Sequence, residues 1–149
     1  LIIKEIQYGT QEYQQTLDLR DKVMRLPLGL SIYDEDLYKE KDTYLLGAFD
    51  DEQLLGVGVV TQTENIDTLK VDYLCVDTVI QNKHIGTKLL QAIEEYALLI
   101  GKNSIVLEAR ITAEPFYRRL SYSSSGEKFT KAHVPIEHIL MNKQLIKQS

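Results

Sequence analysis

The stretch Gln81-Asn82-Lys83-His84-Ile85-Gly86-Thr87-Lys88 holds residue types suited to binding an anion. Lys83 and Lys88 carry positive charge, the Thr87 hydroxyl can donate, and Gly86 lets a ligand come close to the backbone. The first amide N–H groups of a helix have no partner inside it, and the macrodipole places partial positive charge at the same point. A loop that turns further amides there makes a nest for phosphate or pyrophosphate. The same residues would also serve an ordinary strand-to-helix connection, where glycine and polar side chains are common.

The flanking elements frame the loop. Before the loop, Val71, Tyr73, Leu74, Cys75 and Val76 form a β-branched and aromatic run that reads as a strand. After it, Leu89, Leu90, Ile93, Ala97 and Ile100 repeat on one helical face, and Gly101 is placed as the C′ residue. The unit is strand, polar loop, long helix.

Leu74-Cys75-Val76, then Gln81, then Ile85-Gly86-Thr87 opening a Leu-rich helix, resembles the acyl-CoA-binding motif of the GNAT superfamily, Gln/Arg-x-x-Gly-x-Gly/Ala. A second stretch agrees. Ala113-Glu114-Pro115-Phe116-Tyr117-Arg118-Arg119-Leu120-Ser121-Tyr122 is similar to that family's Ala-x-x-Phe-Tyr-x-x-x-Gly-Phe/Tyr segment. The ordered pair extends the resemblance over most of the chain. His84 stands where the first glycine of the motif is usual, Ser121 replaces the glycine before the aromatic, and Arg110 stands where many members have Asn. A histidine is among the better non-glycine residues at positive φ, though still disfavoured there.

The resemblance implies a site. Gln81, Asn82, Lys83, His84, Ile85, Gly86, Thr87 and Lys88 would surround the pyrophosphate of acetyl-CoA. The backbone of Leu74, Cys75 and Val76 would pair with the pantetheine arm, a form of β-augmentation. Phe116 and Tyr117 would lie near the sulfur, with Tyr117 protonating the leaving thiolate. An amine near its ordinary pKa is mostly charged at pH 7, so a proton acceptor is also needed. Glu64, Asp72 and Glu108 lie on or near strands, and Asp72 is the carboxylate assigned a catalytic role. Each of these residues has a plainer use as well: Phe116 and Tyr117 as core aromatics, the carboxylates as paired surface charges, Cys75 as a small buried apolar residue. His133 and His138 can titrate near neutral pH, but the sequence places neither at the thioester. Three histidines and one cysteine show no metal-ligand spacing, so no metal is expected.

The rest of the chain reads in order. Residues 1–8 alternate as a strand, and Thr10 caps a helix over 12–26 that Pro27 and Gly29 end. Residues 34–41 are acidic and predict a short helix, in the region that would shape an acceptor pocket around Leu28, Leu30, Tyr33 and Asp34. Residues 43–49 and 54–62 predict a hairpin, with Gly56 and Gly58 on one face allowing close approach. Residues 68–76 and 104–108 predict parallel strands joined by the central helix. Residues 113–120 predict a helix with Pro115 in its first turn, and 122–130 and 134–143 a closing hairpin.

These elements give an α/β (α+β type) fold: a GNAT-like mixed, mostly antiparallel sheet with a parallel pair splayed at its centre, flanked by helices. Residues 1–149 are read as one domain, since 44% hydrophobic and 26% charged residues suit a globular core and no linker divides the chain. A net charge of −5 argues against a nucleic-acid partner. No apolar run is long enough to cross a membrane, and the opening residues lack a signal-peptide pattern, so a cytoplasmic location is expected. The C-terminal strands offer an edge for a homodimer.

The activity implied is direct transfer of an acetyl group from acetyl-CoA to an amine of a small molecule or protein. The alternatives are a non-catalytic acyl-CoA-binding or interaction module on the same fold, and a nucleotide-binding module.

Overall fold

A computed structural model of the chain describes residues 1–79 and 84–145. Gln81, Asn82 and Lys83, expected at the pyrophosphate, lie outside the described residues. Seven strands form a mixed sheet in the order β1-β2-β3-β4-β5-β7-β6: β1 (Ile2–Ile6), β2 (Tyr44–Asp50), β3 (Gln53–Gln62), β4 (Thr68–Val76), β5 (Ser104–Arg110), β6 (Ser123–Thr130) and β7 (Glu137–Gln144). The helices are α1 (Gln11–Arg20), α2 (Ile85–Leu99) and α3 (Glu114–Arg119). One strand pair, β4 with β5, is parallel. No helix among the described residues is long and apolar enough to cross a membrane. The chain divides into two compact units, Leu1–Thr61 with Tyr73–Ile93, and Gln62–Asp72 with Glu94–Ser149.

In the first unit, β1, β2 and β3 pair antiparallel in sequence order. Thr10 caps α1 as expected, its hydroxyl oxygen accepting from the Tyr13 N–H at 3.2 Å. The helix expected over 12–26 changes pitch instead of running straight. It is α-helical to Arg20, widens to a π turn over Asp21–Arg25, and tightens to a 3₁₀ turn over Leu26–Leu28. Pro27 is tolerated in that last turn because a first-turn N–H needs no helical partner. The helix expected over 34–41 is two short 3₁₀ turns, Ile32–Asp34 and Tyr38–Asp42. Long-range ion pairs account for the break: Glu35 is held by Arg25 at 2.6 Å and Glu40 by Arg20 at 2.5 Å. Gly56 and Gly58 do allow close approach. A Cβ at Gly56 would lie 2.9 Å from Leu89 Cδ1 and 3.0 Å from Ile85 Cγ2, and one at Gly58 2.8 Å from Ile93 Cδ1. The start of α2 is therefore seated directly on β3.

In the second unit, Thr68–Val71 pairs parallel with Ser104–Leu107. The Asp67 carbonyl accepts from the Asn103 and Ser104 amides, and the Thr68 and Ser104 hydroxyls meet at 2.7 Å, which pins that register. Gly101, at φ +85, ends α2; its N–H donates to the Leu98 carbonyl and that of Lys102 to Ala97, the expected C-terminal cap. β7 pairs antiparallel with β5 on one side and β6 on the other. Paired residues share a sheet face. One face of this unit carries Leu69, Val71, Ile105, Leu107, Ala109, Ile139 and Met141, all buried. The other carries Lys70, Glu108, Arg110 and His138.

Candidate functional site

The first unit brings together Leu74, Cys75, Val76, His84, Ile85, Gly86, Thr87 and Lys88. Cys75 is buried, with its thiol 3.9 Å from the Leu19 carbonyl, so its side chain belongs to the core and only its backbone is available to a ligand. Leu74 and Val76 are half-buried. His84 is exposed at φ +54 and opens α2: its carbonyl accepts from the Lys88 N–H at 3.0 Å, the first bond of the helix. The amides of Ile85, Gly86 and Thr87 precede that bond and so have no intrahelical partner. Ile85 is buried against the Gly56 backbone, Gly86 and Thr87 are half-buried, and Lys88 is exposed. Ahead of the loop, the Asp77 N–H donates to the Leu55 carbonyl at 2.8 Å. Its carboxylate accepts from the Val79 N–H at 3.1 Å and from Lys22 at 3.3 Å. The chain leaving β4 is thus tied before it turns.

The second unit contains Asp72, Phe116 and Tyr117. Pro115 occupies the first turn of α3, as its missing N–H requires. Phe116 stands edge-on to Tyr117, with ring centroids 5.1 Å apart. Tyr117 is 7% exposed, and among the described residues its hydroxyl has no hydrogen-bond partner. Burial pushes its pKa up to about 12, so the phenol stays protonated across the physiological range. The Tyr122 ring lies 5.7 Å away but is held differently: its hydroxyl donates to Glu94 at 2.9 Å, and Lys143 donates to the other oxygen of that carboxylate at 2.9 Å. Burial, then the Glu94 charge, raises the Tyr122 pKa far above the usual tyrosine value. Ser121, at φ +75, turns the chain out of α3 while its N–H donates to the Arg118 carbonyl.

Asp72 has 29% of its side chain exposed, with Lys70 Nζ 3.9 Å from its Oδ1. Lys70 is closer to Glu108, at 3.0 Å, and Lys131 reaches the same oxygen at 3.4 Å. Burial acts upward on the Glu108 carboxyl, but the two lysines together outweigh it and hold the pKa below the usual range. Among the described residues no group of three His, Cys, Asp or Glu side chains is placed to hold a metal ion.

A family profile described as the acetyltransferase (GNAT) domain matches residues 30–145. The chain belongs to that family. Solved structures agree on the fold over essentially the whole chain. An aminoglycoside 6'-N-acetyltransferase complexed with coenzyme A is 19% identical, with a TM-score of 0.80, covering 100% of this chain and 99% of its own. A putative N-acetyltransferase from Lactobacillus plantarum is 17% identical, with a TM-score of 0.83 and coverage of 98% and 100%. A Bacillus subtilis acetyltransferase in complex with CoA is 16% identical, with a TM-score of 0.72 and coverage of 97% and 98%. The protein is an acyltransferase of the GNAT type.

Two groupings in this acyltransferase escape the sequence. In the first unit, Arg25 donates to the Tyr73 hydroxyl at 2.6 Å and to Glu35, while the Arg20 guanidinium stacks 4.2 Å from the Tyr73 ring centroid. Tyr73, read only as a strand apolar, thereby ties β4 to the α1–β2 segment. In the second unit, His138 is buried beside Phe129 and opposite Arg110. No local spacing signals either grouping, because each is assembled from residues far apart in the chain.

Proposed function

We propose that this acyltransferase moves an acetyl group from acetyl-CoA directly to a primary amine of a small molecule or protein, in the cytoplasm. The observation that carries the reading is the opening of α2: the Ile85, Gly86 and Thr87 amides, ahead of the first helical bond, beside Lys88 and seated on β3 through Gly56. This is the donor set a pyrophosphate needs. Gln81, Asn82, Lys83 and His84 are assigned to the same group, and the backbone of Leu74, Cys75 and Val76 to the pantetheine amides.

Thioester aminolysis asks the protein for positioning and for proton traffic. Phe116 is assigned to packing beside the sulfur. Tyr117 gives its proton to the leaving thiolate as the carbon–sulfur bond breaks, and regains one from the newly acylated nitrogen. With its pKa raised to about 12 the phenol is protonated when the thiolate forms, and the transfer to sulfur is completed by the proton that the acylated nitrogen returns. Asp72 is assigned to the acceptor ammonium, whose charge its carboxylate would attract. One structural relative acts on aminoglycosides, which are polyamines, and the net charge of −5 suits a cationic acceptor weakly; aminoglycosides therefore belong in the acceptor screen.

The test is calorimetric titration with acetyl-CoA and with desulfo-CoA, followed by thiol release in a panel of primary amines. Micromolar binding of both coenzymes is expected, with loss in Gly86→Glu, whose carboxylate would repel the pyrophosphate. Binding unchanged in Gly86→Glu would remove the loop assignment. Absence of binding to either coenzyme would remove the reading.

A further inference from the structure

His138 is 3% exposed, near the start of β7, on the sheet face opposite the buried aliphatic side chains. Its Nδ1 lies 2.8 Å from the Ile136 carbonyl oxygen. A carbonyl only accepts, so Nδ1 carries the proton and donates, and the lone pair of the neutral ring is left on Nε2. Among the described residues Nε2 has no partner. Phe129 stacks on the ring, with centroids 5.9 Å apart and planes inclined by 26°, so the imidazole is fixed in orientation as well as in tautomer. Arg20 Nε is the one enclosed side-chain polar atom without a partner among the described residues, so Nε2 is reached from outside the core, and its lone pair, fixed in direction by the ring, can meet a ligand.

Its position in the second unit matters equally. His138 pairs across β7 and β5 with Arg110, the last residue of β5. From Arg110 the chain runs through a single 3₁₀ turn, Ile111–Ala113, into α3 and Tyr117. The histidine therefore sits at the end of β5 from which the element carrying the assigned proton donor departs.

We propose that His138 is a catalytic base for the acyl transfer, taking a proton from the acceptor ammonium through Nε2. This rests on the transferase reading above. One ammonium N–H bond breaks, its electron pair stays on nitrogen as the nucleophile, and the proton forms a bond to Nε2. The imidazolium gives that proton to water after the amide leaves. An unperturbed imidazole, with pKa about 6.5, is far better matched to this task than an aspartate at about 3.9, which leaves Asp72 the role of attracting the ammonium. The surroundings keep the ring neutral and ready. Burial lowers its pKa, the Ile136 hydrogen bond opposes this, Lys131 and Arg110 lower it further, and Glu108 opposes again. Glu108 is already engaged by Lys70 and Lys131, and Asp72 lies beyond Lys70 on the same strand.

The test uses His138→Asn, because the Asn side-chain amide keeps a donor for Ile136 and removes Nε2. The readout is kcat/KM against pH with the best amine from the panel, beside calorimetry with acetyl-CoA. The wild type is expected to show an acid limb below pH 6.5. The variant is expected to lose that limb and about 10²-fold or more in kcat/KM, with acetyl-CoA affinity unchanged. A variant that keeps the limb and stays within threefold of wild type overturns the proposal while leaving the transferase reading intact. Imidazole nitrogen NMR on the wild type provides a second measurement, independent of how the variant folds. The His138 Nε2 resonance should move when the amine is added to enzyme saturated with desulfo-CoA. An unmoved resonance overturns the assignment. Wild type that binds acetyl-CoA but turns over no amine defeats the transferase reading, and the base assignment with it.

Discussion

In the first unit the Tyr13 hydroxyl donates to Glu40 at 2.7 Å, and Arg20 donates to both oxygens of the same carboxylate at 3.0 and 2.5 Å. In the second unit Tyr117 and His138 are buried as residues, yet the Tyr117 hydroxyl and His138 Nε2 have no partner among the described residues and neither atom is fully enclosed. Both regions carry polar groups on side chains largely removed from water. The first closes them on one another; the second leaves two open. Closed groups hold a fold together, because burying an unpaired donor or acceptor costs more than a hydrogen bond gains. Open ones persist where water or a ligand can reach them. The closed network has one loose atom, Arg20 Nε, whose guanidinium lies over the Tyr73 ring. Even there the charge is covered by a π face.

Breaking the closed network should have the largest effect on the molecule. Glu40→Ala leaves the Arg20 guanidinium, 0% exposed, without its counter-ion. Loss of one partner of a buried pair costs about 3–5 kcal/mol, and most of it should return if Arg20→Met is added, since the uncompensated charge then goes too. Urea denaturation of the single and double variants measures this. A single-variant loss below about 1 kcal/mol would mean that water reaches Arg20 and that the network is not closed.

The adjacent tyrosines of the second unit should give opposite results. Removing the Tyr117 hydroxyl breaks no hydrogen bond among the described residues, so Tyr117→Phe should fold with nearly wild-type stability yet lose on the order of 10²-fold in turnover, with acetyl-CoA affinity kept. Removing the Tyr122 hydroxyl takes a charge-assisted bond from Glu94, so Tyr122→Phe should cost about 1.5–3 kcal/mol of stability and leave turnover of the folded enzyme near wild type. Equal turnover losses in the two would show that both rings act by packing and that the open hydroxyl is no different from the closed one.

A pH series sharpens the contrast at His138. Its pKa is lowered in the folded state, so the unfolded chain binds the proton more readily. Stability is then full above the unfolded value of about 6.5 and falls as pH drops from there toward the folded pKa. Chemical denaturation between pH 7 and pH 5 should show this slope in wild type and a shallower one in His138→Asn. Identical slopes would mean that protonation of His138 costs nothing, as expected of a solvated ring but not of a buried one.

Legibility in the sequence divides along the same line. The β4–loop–α2 unit was readable because its signals are local: Leu89, Leu90, Ile93 and Ala97 of the expected stripe are fully buried while Ile100, past the end of α2, is exposed, Gly101 adopts the left-handed turn, and β4 spans the expected residues. Gly56 and Gly58 were readable for the same reason, since period-two spacing places them on one strand face. The α1–β2 segment was not. Its pitch changes and its broken helix follow from pairs such as Arg25–Glu35 and Arg20–Glu40, the second of which spans twenty residues. Of the proposed site, the amides opening α2 follow from helix geometry, and the assignment of Tyr117 follows from the family resemblance. His138 did not follow: its tautomer depends on the Ile136 carbonyl, and its neighbours depend on which strands pair.

The smallest effects are expected at two left-handed positions where the resembled motifs have glycine. His84 stands at φ +54 at the opening of α2 and Ser121 at φ +75 at the close of α3. A non-glycine residue there is strained by about 1 kcal/mol or more, while glycine gives back part of that gain through its looser unfolded chain. His84→Gly and Ser121→Gly should each stabilise by less than about 1 kcal/mol. They separate in binding. Ser121 ends a helix whose last carbonyls are already met by the Leu120, Ser121 and Tyr122 amides, so its replacement should leave acetyl-CoA affinity unchanged. His84 is exposed directly before the open amides of α2, where a ring donor can add to the proposed pyrophosphate site or merely accompany the turn. Affinity within about threefold of wild type in His84→Gly, worth roughly 0.6 kcal/mol, would assign the anion site to the backbone alone. A tenfold loss despite the gain in stability would make the imidazole a ligand, retained at the cost of strain in the one loop where an open group and an unfavourable φ coincide.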